Sequence, residues 1–525
     1  MGRVLPASLS ESQFERALGQ LAGEIGAAHV ITDPAKLREW RDPFAFASWD
    51  AFEASAVLQP KSVEEIQAIL RIANEHKIPL WTSSQGRNNG YGGAAPRVKG
   101  GVILNLRRMN RVLEVNEECA YAVVEPGVSF FDLYEAIKKE GAKLWMSVPD
   151  LGWGSVIGNT LDHGLGYTTT GNHPDSQCGM EVVLASGDVL RTGMGAMGDS
   201  KAWHVYKRGL GPSADGLFMQ SNFGIVTKMG VWLSPQPERY SPCWLTTRNE
   251  SDLAKIVDTV RPLLLERVIQ NHPMILNAVC AASALSSRKD WHTGESALPE
   301  AAIDKIASQP GLGRWVSRFA FYGRDKLVEQ QIAQAREAFA RIAGAELTVS
   351  DFDGANLPAK LENPNEQVQA GIPSIDFNQM TKWYGGEEGG HIGFSPAAPL
   401  TGAHARKVRD LVSAGLAKFG LDYSAAIICQ PRCFLHICLV VFDTKDEAQT
   451  KRAYDASKAL VVEAAKHGYG EYRAHLDFMD LALEQYDFNN HALRRFNERI
   501  KDALDPNGIL SPGKQGIWPK GMRPS

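Results

Sequence analysis

The sequence predicts an α+β fold. Apolar residues recur at helical spacing over long stretches, and short apolar or alternating runs with strand character lie between them. The two kinds do not follow the regular strand–helix–strand order that a parallel sheet requires. The first helical pattern sets Phe14, Leu18, Leu21 and Ile25 on one face, with Ser12 and Glu15 expected to form a capping box. A second begins at Ser62, has Glu65 three residues on, and carries Val63, Ile66, Ile69, Leu70 and Ala73. Strand signals then come close together at 78–81, 102–106, 121–124, 181–185 and 189–192, with a helix near 130–139 among them. Ser186-Gly187-Asp188 joins the last two strands as a hairpin turn. Ser234-Pro235-Gln236-Pro237 interrupts the pattern and marks a domain boundary. Beyond it, strands are expected at 244–247, 319–322 and 434–442, and helices at 252–265, 327–342, 403–419, 446–467 and 491–504. This fits a sheet covered by helices on one side. The polar, proline-containing stretch 356–372 reads as a surface loop.

The chain has 525 residues, enough for two or more domains. Charged residues are 22% and the formal net charge is -4, so no basic excess points to nucleic acid or to an anionic membrane surface. No long apolar run or N-terminal apolar segment stands out, and a cytoplasmic protein is the expectation. Seven cysteines, an odd number and scattered, read as reduced core thiols. Cys429, Cys433, His436 and Cys438 lie close together, but their spacing matches no zinc motif and they fall on an apolar strand, so no metal site is assigned.

The most informative stretch is Gly86-Arg87-Asn88-Asn89-Gly90-Tyr91-Gly92-Gly93. Glycines let a backbone turn tightly and bring its N–H groups close to an anion. Such a loop can cradle a pyrophosphate and present a phenol beside it; it can also be a plain surface turn. Gly164-Leu165-Gly166 resembles a fragment of a dinucleotide fingerprint, but it lacks the preceding strand and following helix of a Rossmann unit. Further motifs are Pro149-Asp150-Leu151-Gly152, Ser221-Asn222-Phe223-Gly224-Ile225-Val226, Gly389-Gly390-His391-Ile392-Gly393, Gly470-Glu471-Tyr472-Arg473 and Pro512-Gly513-Lys514.

With these motifs in this order, the chain resembles the vanillyl-alcohol oxidase and p-cresol methylhydroxylase flavoproteins, most closely their bacterial eugenol oxidase and 4-alkylphenol oxidase branch. The resemblance runs from about residue 5 to 518. It implies a two-lobed FAD-binding domain of residues 1–236 and 470–525, and a cap domain of residues 237–469 with an antiparallel sheet covered by helices. FAD would lie on the backbone of residues 86–89. The residues implied to hold it are Gly86, Arg87, Asn88, Asn89, Gly90, Gly158, Asn159, Gly166, Gly224, Ile225, Val226 and Lys514.

His391 matches the family position that bonds covalently to the flavin. Imidazole is a reasonable nucleophile there because its neutral form is well populated near pH 7. Cytochrome-coupled relatives use a tyrosine at that position, and Tyr384 does not align with it. Tyr91, Tyr472 and Arg473 match the family's phenol-binding triad. Asp150 matches an acid near the reacting carbon of the substrate. Tyr167 and His436 are weaker pocket candidates; relatives carry paired histidines where Leu435 and His436 stand here.

The implied activity is a covalent-FAD oxidase of para-substituted phenols: 4-alkylphenols, 4-allylphenols such as eugenol, or 4-hydroxybenzylic alcohols such as vanillyl alcohol. Hydride would pass to FAD through a quinone methide, and O2 would become H2O2. The alternative is the flavoprotein subunit of a cytochrome-coupled 4-alkylphenol dehydrogenase. A homo-oligomer, dimer or dimer of dimers, is implied by resemblance alone.

Overall fold

Three large sheets carry the architecture of the computed structural model, which describes residues 4–7, 9–45, 50–358 and 361–524. The first is four-stranded, in the order Val30–Ile31, Ala56–Leu58, Val102–Asn105, Leu80–Ser83, and its last three strands are parallel neighbours. Helices Glu11–Ile25 and Val63–His76 cover it, and Phe14, Leu18, Leu21, Ile66, Ile69 and Leu70 share one core with Leu58 and Leu104. The cap of the first helix differs from expectation. Ser10, not Ser12, is the N-cap, and Gln13, not Glu15, closes the box, its side chain accepting from the Ser10 N–H at 2.9 Å. Ser12 already lies inside the first turn, and glutamine serves at the third helical position as well as glutamate.

The second sheet is five-stranded and wholly antiparallel, in the order Val112–Asn116, Tyr121–Val124, Ile225–Trp232, Gln177–Val183, Val189–Arg191. The expected hairpin is present. Val183 pairs with Val189 across the turn, where Gly187 has φ 91°, a conformation costly for any side chain.

The third sheet is nine-stranded and its pairings are all antiparallel. Its two faces have different duties, as the strand period of two dictates. Ile275, Phe319, Phe321, Ile427 and Val440 face a core built with helices Asp252–Leu265, Asp325–Phe339, Gly402–Ala417 and Glu447–Lys466. The intervening residues Met274, Leu276, Val316, Ala426 and Ile428 face the five-stranded lobe. Buried on both faces, strands Met274–Asn277 and Ala425–Cys429 lack alternation and escaped the sequence reading.

One other expectation needs revision. The stretch 356–372 is not a surface loop throughout: Pro364–Gln369 forms a short helix, and Gln367 through Ile372 are buried (residues 359 and 360 lie outside the described ones). The Gln369 side chain turns inward to partners there: its Nε2 donates to the Asn365 carbonyl at 3.0 Å and its Oε1 accepts from Asn271 Nδ2 at 3.3 Å. The Gly389–Phe394 motif forms a fully buried strand.

The C-terminal segment returns to the first lobe. Leu80 donates to the Ile509 carbonyl and Ser511 donates back to that of Leu80, both at 2.7 Å. Lys501 and Asp505 are wholly buried and paired at 2.8 Å. The ammonium also donates to the Asn222 and Leu510 carbonyls, and the carboxylate accepts the Ile509 and Leu510 N–H groups. This pair pins residues 501–511 to Asn222, just ahead of the strand that begins at Ile225. Burial pulls the Lys501 pKa below its usual value, and Asp505 opposes that pull. No helix among the described residues is long and apolar enough to cross a membrane. Lys501→Met should cost about 3–5 kcal/mol by leaving a buried carboxylate without its cation. Scanning calorimetry is expected to give a lower Tm for it, with Lys501→Met/Asp505→Asn losing less than the two single losses summed.

Candidate active site

One large cavity, about 390 Å³, lies where the two smaller sheets meet the cap sheet. Its lining includes the glycine-rich loop, residues 149–162, the start of strand Ile225–Trp232, the inward face of the cap sheet, and residues 472–476 and 510–515. Of the residues singled out in the sequence, Gly86, Arg87, Asn88, Asn89, Tyr91, Asp150, Gly158, Asn159, Tyr167, Gly224, Ile225, Val226, His391, Tyr472, Arg473 and Lys514 line it. Three do not. Gly90 stands just behind His391; a Cβ there would come within 2.5 Å of His391 Nε2. Gly166 packs on Ser147 and His173, where a Cβ would meet Ser147 Oγ at 2.1 Å. His436 is fully buried on strand Cys433–Asp443, with Nε2 3.2 Å from the Tyr423 hydroxyl; the register of that strand turns Ile437 and Leu439, not His436, toward the cavity.

His391 sits in the middle of Gly389–Phe394, an edge strand paired along Cys433–Asp443. Burial pushes its imidazole down to about 4, with nearby Asp42 opposing and His475 adding to the shift. The ring is therefore neutral at pH 7. Its Nδ1 is buried and has no hydrogen-bond partner among the described residues. Phe44 packs against the ring at 5.3 Å between centroids.

The same strand organises the phenolic residues. Gly393 donates to the Gly90 carbonyl at 3.2 Å, and a Cβ on Gly393 would meet Tyr91 Oη at 2.7 Å. Pro396 bridges Glu471, and Leu476 donates to the Tyr91 carbonyl at 3.1 Å. Tyr91, Tyr472 and Arg473 thus converge because three separate segments dock at one junction. The Arg473 guanidinium lies over the Tyr91 ring at 4.2 Å and donates to Asn88 Oδ1 at 2.6 Å. Burial raises both tyrosine pKa values, partly offset by Arg473, so both stay protonated donors at neutral pH. Arg473 stays charged: burial disfavours its cation, but Tyr91, Asp162 and Tyr472 more than compensate.

Two carboxyl groups stand behind this junction, neither assigned from the sequence. Glu471 is buried and accepts the Ser395 N–H on both oxygens, at 3.0 and 2.8 Å; burial pushes it up to about 8. Asp162 pairs with Lys514 at 3.2 Å; burial would raise its pKa, but Lys514 and Arg473 hold it below the ordinary value. Lys514 is therefore already charge-paired. Arg87 is solvent-exposed and donates weakly to the Trp153 carbonyl at 3.4 Å.

On the cap side, Asp150 accepts from Tyr167 Oη on one oxygen and from Arg318 Nη2 on the other, each at 2.9 Å. Arg318 is 1% exposed and was missed in the sequence reading. The available signal was a lone cation inside the otherwise apolar strand Trp315–Gly323. Aliphatic and sulfur-bearing side chains, among them Met274, Leu276, Cys280, Ala426 and Ile428, form the rest of that wall.

The cavity thus offers glycine-rich backbone, a neutral imidazole with an orphaned nitrogen, and few unpaired carboxylates. These fit a large planar group carrying a pyrophosphate. Comparison with known proteins agrees. Residues 54–193 match a family model described as an FAD binding domain, and residues 434–515 one described as the C-terminal domain of FAD linked oxidases. The 4-cresol dehydrogenase [hydroxylating] flavoprotein subunit of Pseudomonas putida is 36% identical over 517 residues, 98% of each chain. The structure of 4-ethylphenol oxidase from Gulosibacter chungangensis, an isoeugenol complex, has a TM-score of 0.94 and 42% identity over 99% of this chain and 100% of that one. The structure of p-cresol methylhydroxylase with substrate bound has a TM-score of 0.93 and 34% identity over 98% of this chain and 99% of that one. The chain therefore belongs to the vanillyl-alcohol oxidase and p-cresol methylhydroxylase family of FAD-linked oxidoreductases.

Proposed function

We propose that this chain is a covalent-FAD oxidase of para-substituted phenols. One observation carries the proposal: two protonated tyrosines and a charged arginine converge on the cavity that also holds His391 and Asp150. We assign residues 1–236 and 470–525 to FAD binding and 237–469 to the cap, with His391 as the point of covalent attachment. The activities of the relatives, on 4-cresol and 4-ethylphenol, support this substrate class. Within it fall 4-alkylphenols, 4-allylphenols such as eugenol, and alcohols such as vanillyl alcohol.

A free phenol has a pKa near that of tyrosine, about 10, so ionising it at pH 7 costs about 4 kcal/mol. Charge-assisted hydrogen bonds contribute roughly 1.5–3 kcal/mol each. Tyr91, Tyr472 and Arg473 together can therefore hold the phenolate. The tyrosines do so because burial keeps their own protons on, leaving the substrate oxygen as the group that ionises. The phenolate electrons then expel hydride from the benzylic carbon and leave a quinone methide. FAD, when bound, supplies the hydride acceptor and passes the electrons to O2, giving H2O2. Asp150 receives a proton, either from water adding to the quinone methide or from a benzylic alcohol. We further assign a homo-oligomeric state, a dimer or dimer of dimers.

A second reading, a dehydrogenase that hands electrons to a cytochrome, is favoured by one observation: the relative from Pseudomonas putida is a flavoprotein subunit. Stopped-flow mixing of phenol-reduced protein with air separates the two. Rapid return of the oxidised flavin spectrum with H2O2 supports the oxidase, and slow return supports the dehydrogenase.

Three outcomes are expected. Combining Tyr472→Phe with Arg473→Ala should lower kcat/KM for 4-ethylphenol by about 10²–10⁴-fold, from two lost charge-assisted bonds; unchanged turnover by FAD-replete protein would overturn the phenolate site. Intact mass after denaturation should include one FAD, and His391→Ala should lose it. Glu471 is a carboxyl whose folded pKa, about 8, lies above its ordinary value. Its neutral form therefore stabilises the fold fully at low pH. That contribution fades as the pH rises from the ordinary glutamate range through about 8. Glu471→Gln should flatten the fall of Tm across that window.

A further inference from the structure

Arg318 has no part in the activity proposed above, yet it is the most completely enclosed cation on the cavity wall. It lies mid-strand in Trp315–Gly323, flanked in the sheet by Trp244 and Met274. Four contacts fix its guanidinium. It lies over the Tyr167 ring at 4.1 Å and within 5.0 Å of the Phe377 ring. Its Nη1 donates to Asn365 Oδ1 and its Nη2 to Asp150 Oδ1, each at 2.9 Å. Tyr167 donates to the other oxygen of Asp150, also at 2.9 Å. Both carboxylate oxygens are therefore held, by donors that also pack on each other. Each oxygen keeps a second lone pair, so the held carboxylate can still accept a proton.

A buried guanidinium costs several kcal/mol of desolvation, and a chain retains such a group only where a partner compensates. Here the partner is a cavity-lining aspartate on the opposite lobe. Burial disfavours the Arg318 cation, but Asp150 and Tyr167 outweigh this and its pKa rises. The other titratable groups facing this cluster are the Cys280 thiol, near Asp150, and the hydroxyls of Tyr240 and Tyr322, near Arg318. Burial pushes the tyrosines well above, and the thiol up to about 12, so all three are uncharged at neutral pH.

We propose that Arg318 is the positioning residue for Asp150, aiming its carboxylate at the water that adds to the benzylic carbon. This rests on the assignment of Asp150 as proton acceptor. In that step the water oxygen bonds to the benzylic carbon, its proton passes to Asp150, and the ring electrons return to the phenolate oxygen. With the aspartate turned away, the quinone methide instead loses a side-chain proton to solvent, the C–H pair forms the double bond, the ring electrons return to the phenolate oxygen, and an alkene results. The ratio of alcohol to alkene therefore reads the orientation of the carboxylate.

The test uses FAD-loaded enzyme and 4-ethylphenol, with 1-(4-hydroxyphenyl)ethanol and 4-vinylphenol separated by chromatography. Arg318→Met is expected to lower the alcohol-to-alkene ratio roughly ten-fold. Arg318→Lys, which keeps the charge but not the fork, is expected to lower the ratio as well. Asn365→Ala, which frees the guanidinium while leaving its charge, is expected to lower the ratio and serves if Arg318→Met does not fold. Thermal unfolding supplies a readout independent of turnover: Asp150→Asn should lower Tm less in the Arg318→Met background than in the natural protein. If Asp150→Asn alone changes the ratio while the Arg318 and Asn365 variants leave it unchanged, the positioning role is wrong. If Asp150→Asn also leaves it unchanged, the assignment of Asp150 fails, and this proposal fails with it.

Discussion

A backbone-to-backbone contact holds the active site together. Gly393 of the cap sheet donates to the carbonyl of Gly90 in the glycine-rich loop. The approach is possible only because neither residue carries a Cβ: at position 90 it would strike His391, and at position 393 the Tyr91 hydroxyl. Gly90 also has φ 79°, which a side chain rarely adopts. That contact sets how far the imidazole of His391 stands from the phenol of Tyr91. Residues 470–476 then build onto the same edge, through the Pro396–Glu471 bridge and the bond from Leu476 to Tyr91. One close approach thus brings residues from three distant parts of the chain into one cavity wall.

Charge on that wall is arranged in two separate pairs. Arg473 sits near Asp162, which Lys514 also neutralises, so the phenol end carries a net cation without a free carboxylate beside it. At Asp150 the arrangement is reversed: Arg318 lies beneath the carboxylate, away from solvent, and the carboxylate lines the cavity. In a low-dielectric site such fixed charges act strongly on an ionised substrate. On the cap side the rest of the wall is apolar, formed by residues such as Met274, Leu276, Ala426 and Ile428.

Much of this was legible in the sequence because it depends on local pattern. Helical periodicity placed Asp252–Leu265 with both ends as observed. Serine ahead of a glutamate located the start of Val63–His76. The glycine-rich loop was legible as a place of close approach because glycine is the residue such approach demands. What escaped depends on partners distant in sequence. Gln367 and Gln369 look solvent-seeking until the fold buries them, Gln369 against Asn271 and Asn365. The Ser10 cap was mistaken for Ser12 because both serines precede a residue able to close the box. Arg318 is invisible as a site residue without Asp150, since only the packing of cap on lobe brings them together. His436 was misplaced because a strand register one residue either way exchanges its two faces.

The two-faced cap strands carry one more implication, for descent with modification. Ile275 and Ile427 are committed to helices, while their neighbours Met274, Leu276, Ala426 and Ile428 touch the cavity. Every second position can therefore change in bulk or polarity without opening a void under the helices. Substrate preference and thermal robustness occupy interleaved positions on the same ribbon. A lineage can retune the first by single replacements and leave the second largely as it was.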